Sequence, residues 1–149
     1  MKAPARSRKS AETDSRPTIK KVRAIYDTLA NRPVERDCTR LSQCCHFVLT
    51  GRTPFLTRGE ALVAAAALRA TGRKRLPESG ACPFFSVNDR KCMIYADRPF
   101  GCRTHFCRPA GGPYARGEVL DLIRDLEKID ADLGGTAAHP LREAVESCL

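Results

Sequence analysis

The sequence has no run of roughly 18 or more apolar residues, so no transmembrane helix is expected. Its basic N-terminus is not followed by an apolar stretch, which argues against a secretory signal, although its Arg and Ser content leaves an organellar transit peptide open. We therefore expect a cytoplasmic protein without a membrane partner. Because thiols stay reduced in that compartment, cysteines there are expected to serve metal binding or redox chemistry.

Several familiar motifs are also missing. There is no C-x2-C pair and no H-x3-5-H pair, which disfavours the common nucleic-acid-binding zinc fingers. The compact cysteine run of bacterial ferredoxins is absent as well. No G-x-S-x-G occurs, so hydrolase chemistry has little support and the catalytic residues, if the protein is an enzyme, are unknown. The missing motifs therefore do not distinguish a zinc site from an iron site.

Positive charge is concentrated at the start of the chain. The formal net charge is +9, from 26 basic and 17 acidic side chains. Residues 1 to 23 carry eight of the basic side chains against two acidic ones. We interpret residues 1–17 as a solvated, disordered basic arm, because they have almost nothing to bury. Nucleic-acid binding through this arm is the alternative, and the sequence gives it little support.

The length of 149 residues suits one domain, and the composition of 42% hydrophobic and 29% charged residues is typical of a soluble globular protein. We place that domain at residues 18–149. Apolar spacing predicts a mainly α fold with four helices, which are one from Thr18 to near Asn31, one over Ala61–Ala70 behind a capping box at Thr57 to Glu60, one over Glu118–Leu133, and a short one from Pro140.

Residues 73–113 have a different character, with frequent proline and glycine and no clear periodicity. We interpret them as irregular cysteine-rich loops. Such a segment has little local reason to be ordered, so a metal centre is expected to organise it.

The eight cysteines carry the strongest chemical signal. Seven of them, the candidate metal ligands, fall between positions 38 and 107, namely Cys38, Cys44, Cys45, Cys82, Cys92, Cys102 and Cys107. Thiolates bind soft and borderline metals, and four of them complete a zinc site or one iron-sulfur cluster. Seven exceed one such set, so the cysteines could serve one multinuclear centre or split between two. Cys148 is isolated, and we interpret it as a buried structural cysteine.

Other polar side chains accompany the cysteines. His46 and His105 are adjacent or close to cysteines and are alternative ligands. Cations flank the same positions, namely Arg40, Arg90, Lys91, Arg98, Arg103 and Arg108. They could lower thiol pKa values and offset the charge of a four-thiolate centre, or they could be ordinary surface cations.

Three motifs resemble the YkgJ-type cysteine-cluster family of zinc- or iron-chelating proteins. They are Cys38 with Cys44-Cys45 and a following aromatic, Cys82-Pro83-Phe84, and the stretch from Cys92 to Arg103, which resembles C-x-I-Y-x-x-R-P-x-x-C-R. The resemblance covers residues 36–108 and leaves the arm and the C-terminal helices of residues 114–149 outside. It implies metal chelation by the seven cysteines, with an iron-sulfur cluster favoured over zinc. Arg98 and Arg103, which belong to the third motif, are the candidate cofactor-binding residues.

One position departs from the family pattern. The first motif usually reads C-x-x-C-x-x-C-C, and here Leu41 occupies its second cysteine position. A centre that needs this thiolate must lack one ligand, replace it with another residue or water, or be rearranged. Two functions therefore stay open: an accessory or redox metal-binding protein, and an iron-sulfur enzyme or electron carrier that acts on a small molecule or a partner protein.

Overall fold

The structure is a computed structural model, and it describes residues 15–32, 53–78, 81–105 and 114–149. Helices dominate these residues, as the sequence predicted, and the strands are two residues long. The elements in order are α1 (Ser15–Ala30), β1 (Phe55–Leu56), α2 (Arg58–Ala70), β2 (Phe85–Ser86), β3 (Lys91–Cys92), a 3-10 turn (Tyr95–Asp97), α3 (Phe100–Thr104), α4 (Arg116–Asp132), β4 (His139–Pro140) and α5 (Leu141–Glu146). None of the described helices is long and apolar enough to cross a membrane.

Helix α1 packs against α2 and α4 through the apolar stripe that the sequence predicted. These helices share one of two clusters of buried apolar residues, which we name the second core cluster; the first is described with α5 below. The members of the second cluster are Val22, Ile25, Tyr26, Leu29, Val63, Phe100, Val119, Leu122 and Leu126. The helix begins at Ser15, three residues before the predicted start at Thr18. Pro17 is compatible with this position, because the N–H groups of a first turn have no partner within the helix. Residues 1–14 lie outside the described part, so the disordered arm stays a prediction.

Among the described elements, helix α2 contacts α1, α4 and α5. It starts as the capping box predicted, with the Glu60 carboxylate accepting a hydrogen bond from the Thr57 backbone N–H at 2.9 Å. It ends at Ala70, and Gly72 follows in a left-handed conformation with φ of +85°. The run of alanines lets the neighbouring helices approach closely.

Helix α5 closes the other side of α2. Strand β1 pairs antiparallel with β4, with Leu56 opposite His139, and this pairing positions the start of α5. The helix begins at Leu141, one residue after the predicted start at Pro140. A first core cluster forms here from Leu56, Ala61, Ala64, Ala65, Ala67, Leu68, Leu76, Cys82, Phe84, Ile94, Leu141, Ala144 and Val145.

Helix α4 matches its prediction closely, over Arg116–Asp132, and Gly134 follows it with φ of +74°. Its buried Asp130 accepts a hydrogen bond from the Arg58 backbone N–H at 2.8 Å. This bond gives one of the first N–H groups of α2 a partner and attaches the end of α4 to the start of α2.

Residues 73–113, which the sequence predicts to be irregular loops, contain short regular elements that the spacing of their apolar residues does not indicate. A β2–β3 hairpin and the five-residue helix α3 lie within them. Elements of two to five residues are too short to show a hydrophobic period. Their order depends on contacts with distant parts of the chain.

Gly59 is located where α1, α2 and α4 meet, and its replacement by alanine tests this packing. An added Cβ would lie 2.9 Å from Val22 Cγ2 and 3.0 Å from Ile129 Cγ2, both on stiff β-branched side chains. Overpacking of this kind typically destabilises a protein by about 1–3 kcal/mol. The higher helix propensity of alanine offsets only about 1 kcal/mol of that loss. Gly59→Ala should therefore lower the free energy of unfolding by about 1 kcal/mol in a denaturant titration.

Gly117 provides the matched control, because it also lies in the first turn of a helix but has nothing within 4 Å of an added Cβ. Gly117→Ala should leave the free energy of unfolding unchanged or raise it by about 0.5 kcal/mol. A Gly59→Ala variant as stable as Gly117→Ala would contradict the close approach of the three helices.

Candidate metal centre

Two of the predicted ligands, Cys82 and Cys92, are carried by the β2–β3 hairpin. Phe85 is opposite Cys92 in the antiparallel pairing, and the Cys82 carbonyl accepts a hydrogen bond from the Phe85 N–H at 2.9 Å. Phe84 is buried in the first core cluster and anchors the hairpin there. Cys82 is buried in the same cluster, and the half-buried Cys92 packs against it.

Cys102 is the third predicted ligand that lies among the described residues, and it belongs to α3. The N–H groups of Cys102 and Arg103 both donate to the Pro99 carbonyl, which forms the first turn of this helix. Phe100 is buried in the second core cluster. The hairpin and α3 therefore rest on different core clusters, while the 3-10 turn lies between them in the chain.

Glu60 connects α3 to the helical core. It is only 3% exposed. One carboxylate oxygen accepts hydrogen bonds from the Thr57 N–H and hydroxyl, each at 2.9 Å, and the other accepts from the Phe100 N–H at 2.8 Å. Burial raises the pKa of Glu60, these hydrogen bonds oppose that shift, and the charge of Asp130 adds to it. The carboxylate thus gives partners to backbone N–H groups at the starts of two helices.

Arg103 holds the 3-10 turn against α1. Its Nε donates to the Arg98 carbonyl at 2.7 Å and its Nη2 donates to the Ala96 carbonyl at 2.5 Å. Its guanidinium group also stacks on the Tyr26 ring, 4.1 Å from the ring centre. Burial lowers the pKa of Arg103 from its ordinary value. Such a planar cation, with several donors in one plane, suits a site where stacking and hydrogen bonding are both needed.

A second contact joins α1 to the same turn. Arg23 donates from Nε and Nη2 to the two carboxylate oxygens of Asp97, each at 3.0 Å, and this contact raises the pKa of Arg23. Arg98 stacks on Tyr95 at 3.9 Å and donates to the Tyr95 carbonyl at 3.1 Å. Both predicted cofactor-binding arginines, Arg98 and Arg103, thus make contacts that brace this turn. Their role toward a cofactor stays a prediction.

The remaining predicted ligands, Cys38, Cys44, Cys45 and Cys107, and also His46, lie outside the described residues. Within residues 15–32, 53–78, 81–105 and 114–149, no three His, Cys, Asp or Glu side chains come together in a group that could hold a metal ion. The structure therefore does not bring Cys82, Cys92 and Cys102 into one cluster by themselves. His105 is exposed at the end of α3, and Cys148 packs half-buried against the first core cluster.

The predicted ligands are of the type that a thiophilic metal prefers. The donor set predicted from the sequence consists of thiolates, which suit zinc and iron-sulfur centres. In addition, the hydroxyl of Tyr26, a residue only 2% exposed, has no hydrogen-bond partner among the described residues. Buried hydroxyl groups are rarely left without a partner, ordered water included.

A comparison with known families supports the same interpretation. The family model CxxCxxCC, described as "Putative zinc- or iron-chelating domain", matches residues 37–121, which is more than half of the chain. The chain belongs to this family. The resemblance to a cysteine-cluster family is thereby confirmed, and metal binding is the general function that membership indicates. No curated protein and no solved structure matches the chain.

The CxxCxxCC motif that names the family is incomplete here. Read onto Cys38, the motif places its last two cysteines at Cys44 and Cys45, and its second cysteine position falls on Leu41. The side chain of leucine offers no donor atom to a metal. This chain therefore lacks one of the thiolates that the motif provides.

Sequence reasoning missed two structural features near the predicted ligands. Tyr26 lies at an apolar position of the first predicted helix, and helical spacing cannot show that its hydroxyl lacks a partner among the described residues. Glu60 was recognised through the capping box, yet its second bond, to a backbone N–H 40 positions away, left no mark in the local sequence.

Replacement of Glu60 by glutamine tests its bridging role. An amide has one acceptor oxygen, so an NH2 group must face either the Thr57 N–H or the Phe100 N–H, and that buried donor loses its partner. A loss of this kind costs about 1–3 kcal/mol. Glu60→Gln should lower the free energy of unfolding by that amount at neutral pH, as measured by denaturant titration.

Glu118 offers a matched control at the start of α4. Its carboxylate accepts from the Ala115 N–H at 2.8 Å in an exposed setting, and a glutamine oxygen can make the same bond. Glu118→Gln should change stability by about 0.5 kcal/mol or less. Equal losses in the two variants would contradict the bridging role.

The pH dependence of the same comparison has a definite sign. Because burial raises the pKa of Glu60, the folded protein binds its proton more tightly than the unfolded chain does. The contribution of Glu60 to stability is therefore greatest below its unfolded pKa and falls as pH rises through its folded pKa. The difference in free energy of unfolding between wild type and Glu60→Gln should therefore become smaller as the pH rises through the folded pKa of Glu60. A difference that becomes larger would contradict a raised pKa.

Proposed function

We propose that this chain is a cytoplasmic metal-binding protein that holds an iron-sulfur cluster, or else zinc, through its cysteines, in an accessory or redox role. The proposed ligands are drawn from Cys38, Cys44, Cys45, Cys82, Cys92, Cys102 and Cys107. The observation that carries the proposal is the family match, which spans all seven of these positions. We prefer an iron-sulfur centre to zinc because the family resemblance implies it. The number of cysteines does not separate the two, since four thiolates complete either kind of centre.

The cation distribution supports a centre of negative charge. Arg103 follows Cys102 directly, and Arg98 is four residues before it. A metal bound by four thiolates carries net negative charge, and a neighbouring guanidinium group offsets that charge. Both arginines are held by backbone carbonyls of the 3-10 turn, so their charges occupy fixed positions beside α3. We propose that they stabilise the centre electrostatically rather than as ligands.

Metal binding would also complete the fold in this region. Cys92 belongs to a hairpin on the first core cluster, whereas Cys102 belongs to a short helix attached to the second. A centre that takes ligands from both elements would join the two clusters. The free energy of metal binding would then contribute directly to the free energy of unfolding.

The alternative function is an iron-sulfur enzyme or electron carrier acting on a small molecule or a partner protein. Leu41 favours this alternative, because a centre that lacks one thiolate can keep a coordination position for a substrate. A closed structural site has no such position. Binding of a small exogenous ligand such as cyanide or azide to the purified metal centre would favour the alternative.

Serine variants test the ligand assignment. Cys92→Ser and Cys102→Ser should each lose most of the bound metal, because a neutral hydroxyl is a poor ligand for a thiophilic metal. Cys148→Ser is the matched control, since Cys148 packs on the first core cluster at the end of the chain and is not a proposed ligand. It should retain its metal.

The measurement is metal content per chain after anaerobic purification, with thermal unfolding recorded on the same samples. The two ligand variants should also unfold at lower temperature, because their folded state loses the metal contribution. Equal metal content in all three variants would contradict the assignment of Cys92 and Cys102.

A further inference from the structure

A pocket with a volume of about 150 Å³ lies where the end of α4 meets the start of α2 and one face of α5. Its apolar side consists of Leu56, Ala61 and Ala144, which are buried in the first core cluster. Its polar side is formed by Asp130 and by residues 134–137, which follow α4. None of the described residues that line the pocket is a proposed metal ligand, so the pocket is distinct from the candidate metal centre.

Asp130 is the buried polar side chain of this pocket and is only 5% exposed. Its Oδ1 accepts a hydrogen bond from the Arg58 backbone N–H at 2.8 Å, whereas no described residue donates to its Oδ2. A carboxylate accepts several hydrogen bonds, and burial without them is costly. Asp130 is therefore able to accept a hydrogen bond from a ligand in the pocket.

The segment after α4 is built around this carboxylate. An added Cβ at Gly135 would lie 2.5 Å from Asp130 Oδ2, so any larger residue there would displace the carboxylate. The Gly135 N–H donates to the Asp130 carbonyl at 2.8 Å, and Gly134 has a φ of +74°, which favours glycine. These features close residues 134–137 over Asp130 and make them one wall of the pocket.

The charge around the pocket favours a cationic ligand. Neither Asp130 nor the nearby Glu60 forms an ion pair with another described residue. The positive end of α2 offsets part of this charge, but it donates to only one oxygen of Asp130. The Arg58 side chain is exposed and forms no ion pair among the described residues. A buried carboxylate interacts more strongly with a cationic donor than with a neutral one.

The donor set distinguishes an organic cation from a metal ion. No three His, Cys, Asp or Glu side chains come together in the part of the chain that the structure describes, so a metal ion would lack ligands here. The apolar side of the pocket instead suits an alkyl group. The volume is below the range that holds drug-sized molecules, which limits the alkyl group to a few carbons.

We propose that this pocket binds a small primary ammonium ion, which donates to Asp130 Oδ2 and packs a short alkyl chain on Leu56, Ala61 and Ala144. The hydroxyl of Thr136, 3.4 Å from His139 Nε2, is a further acceptor at the rim. This inference does not rest on the proposed function. It gives the protein a ligand site apart from the metal.

The first test is a titration of the full-length protein, as purified, with n-propylammonium chloride, followed by ¹H–¹⁵N NMR. We expect saturable shifts centred on the amide signals of Gly134, Gly135 and Thr136. 1-Propanol is the matched neutral probe, since it has the same length without the charge, and sodium chloride is the blank. The alcohol should bind about tenfold more weakly, because a hydrogen bond to a charged partner is the stronger kind.

Asp130→Asn tests the role of the carboxylate. Asparagine keeps an oxygen for the Arg58 N–H but loses the negative charge, so n-propylammonium should bind about tenfold more weakly. Asp132→Asn is the matched control, because Asp132 is exposed at the end of the same helix and does not line the pocket. It should bind n-propylammonium as wild type does.

Thermal unfolding shows whether each variant is folded. The inference would be overturned by the absence of saturable shifts in wild type, by shifts centred elsewhere, or by equal binding of n-propylammonium and 1-propanol. A folded Asp130→Asn variant that binds as tightly as wild type would overturn it as well. If Asp130→Asn does not fold, the comparison of the two probes on wild type decides. None of these outcomes bears on metal content, so the proposed function is tested separately.

Discussion

The carboxylate of Glu60 holds two helix starts in fixed relation, and the candidate site depends on that relation. One oxygen faces Thr57 before α2, and the other faces the Phe100 N–H at the start of α3. Because the group is buried, a shift of either helix would leave a donor without a partner, at a cost of about 1–3 kcal/mol. The position of Cys102 and of the stacked pair Arg103 and Tyr26 follows from this arrangement. A single acidic side chain thus fixes the start of α3, which carries Cys102, relative to the start of α2.

Much of this fold is predictable from local sequence, and the reason is its helical core. Helices α1, α2 and α4 have apolar residues at helical spacing, and a glycine with positive φ follows both α2 and α4, at Gly72 and Gly134. Their ends were predicted within a few residues. Local patterns are sufficient there because each helix presents one continuous face to its neighbours.

The site is less predictable, because its contacts join residues far apart in the chain. The bonds from Arg23 to Asp97 and from Phe100 to Glu60 cross 74 and 40 positions, and no local pattern encodes them. The hairpin and α3 are too short to show a period. The type of ligand was predictable from cysteine chemistry, and membership of the CxxCxxCC family confirms metal binding in general terms. Which cysteines share a metal depends on chain folding, so the ligand set stays a prediction.

The apolar core and the proposed metal centre stabilise different parts of the protein. The described helices form two core clusters from ordinary apolar residues, with α2 contributing to both. The cysteines Cys82, Cys92 and Cys102 lie on the elements that rest on those clusters. In the proposed protein the metal joins these elements, and the arginines of the 3-10 turn balance its charge. The apolar core would then provide most of the stability, while the metal would determine the final positions of the cysteine-bearing elements.

If thiolates of this chain hold a metal, elemental analysis of the purified protein will find it. The measurement is iron, zinc and acid-labile sulfide per chain after anaerobic purification, together with the visible absorption spectrum. We expect iron with matching sulfide and a brown chromophore, or else stoichiometric colourless zinc. A folded protein that contains neither metal in stoichiometric amount would contradict it.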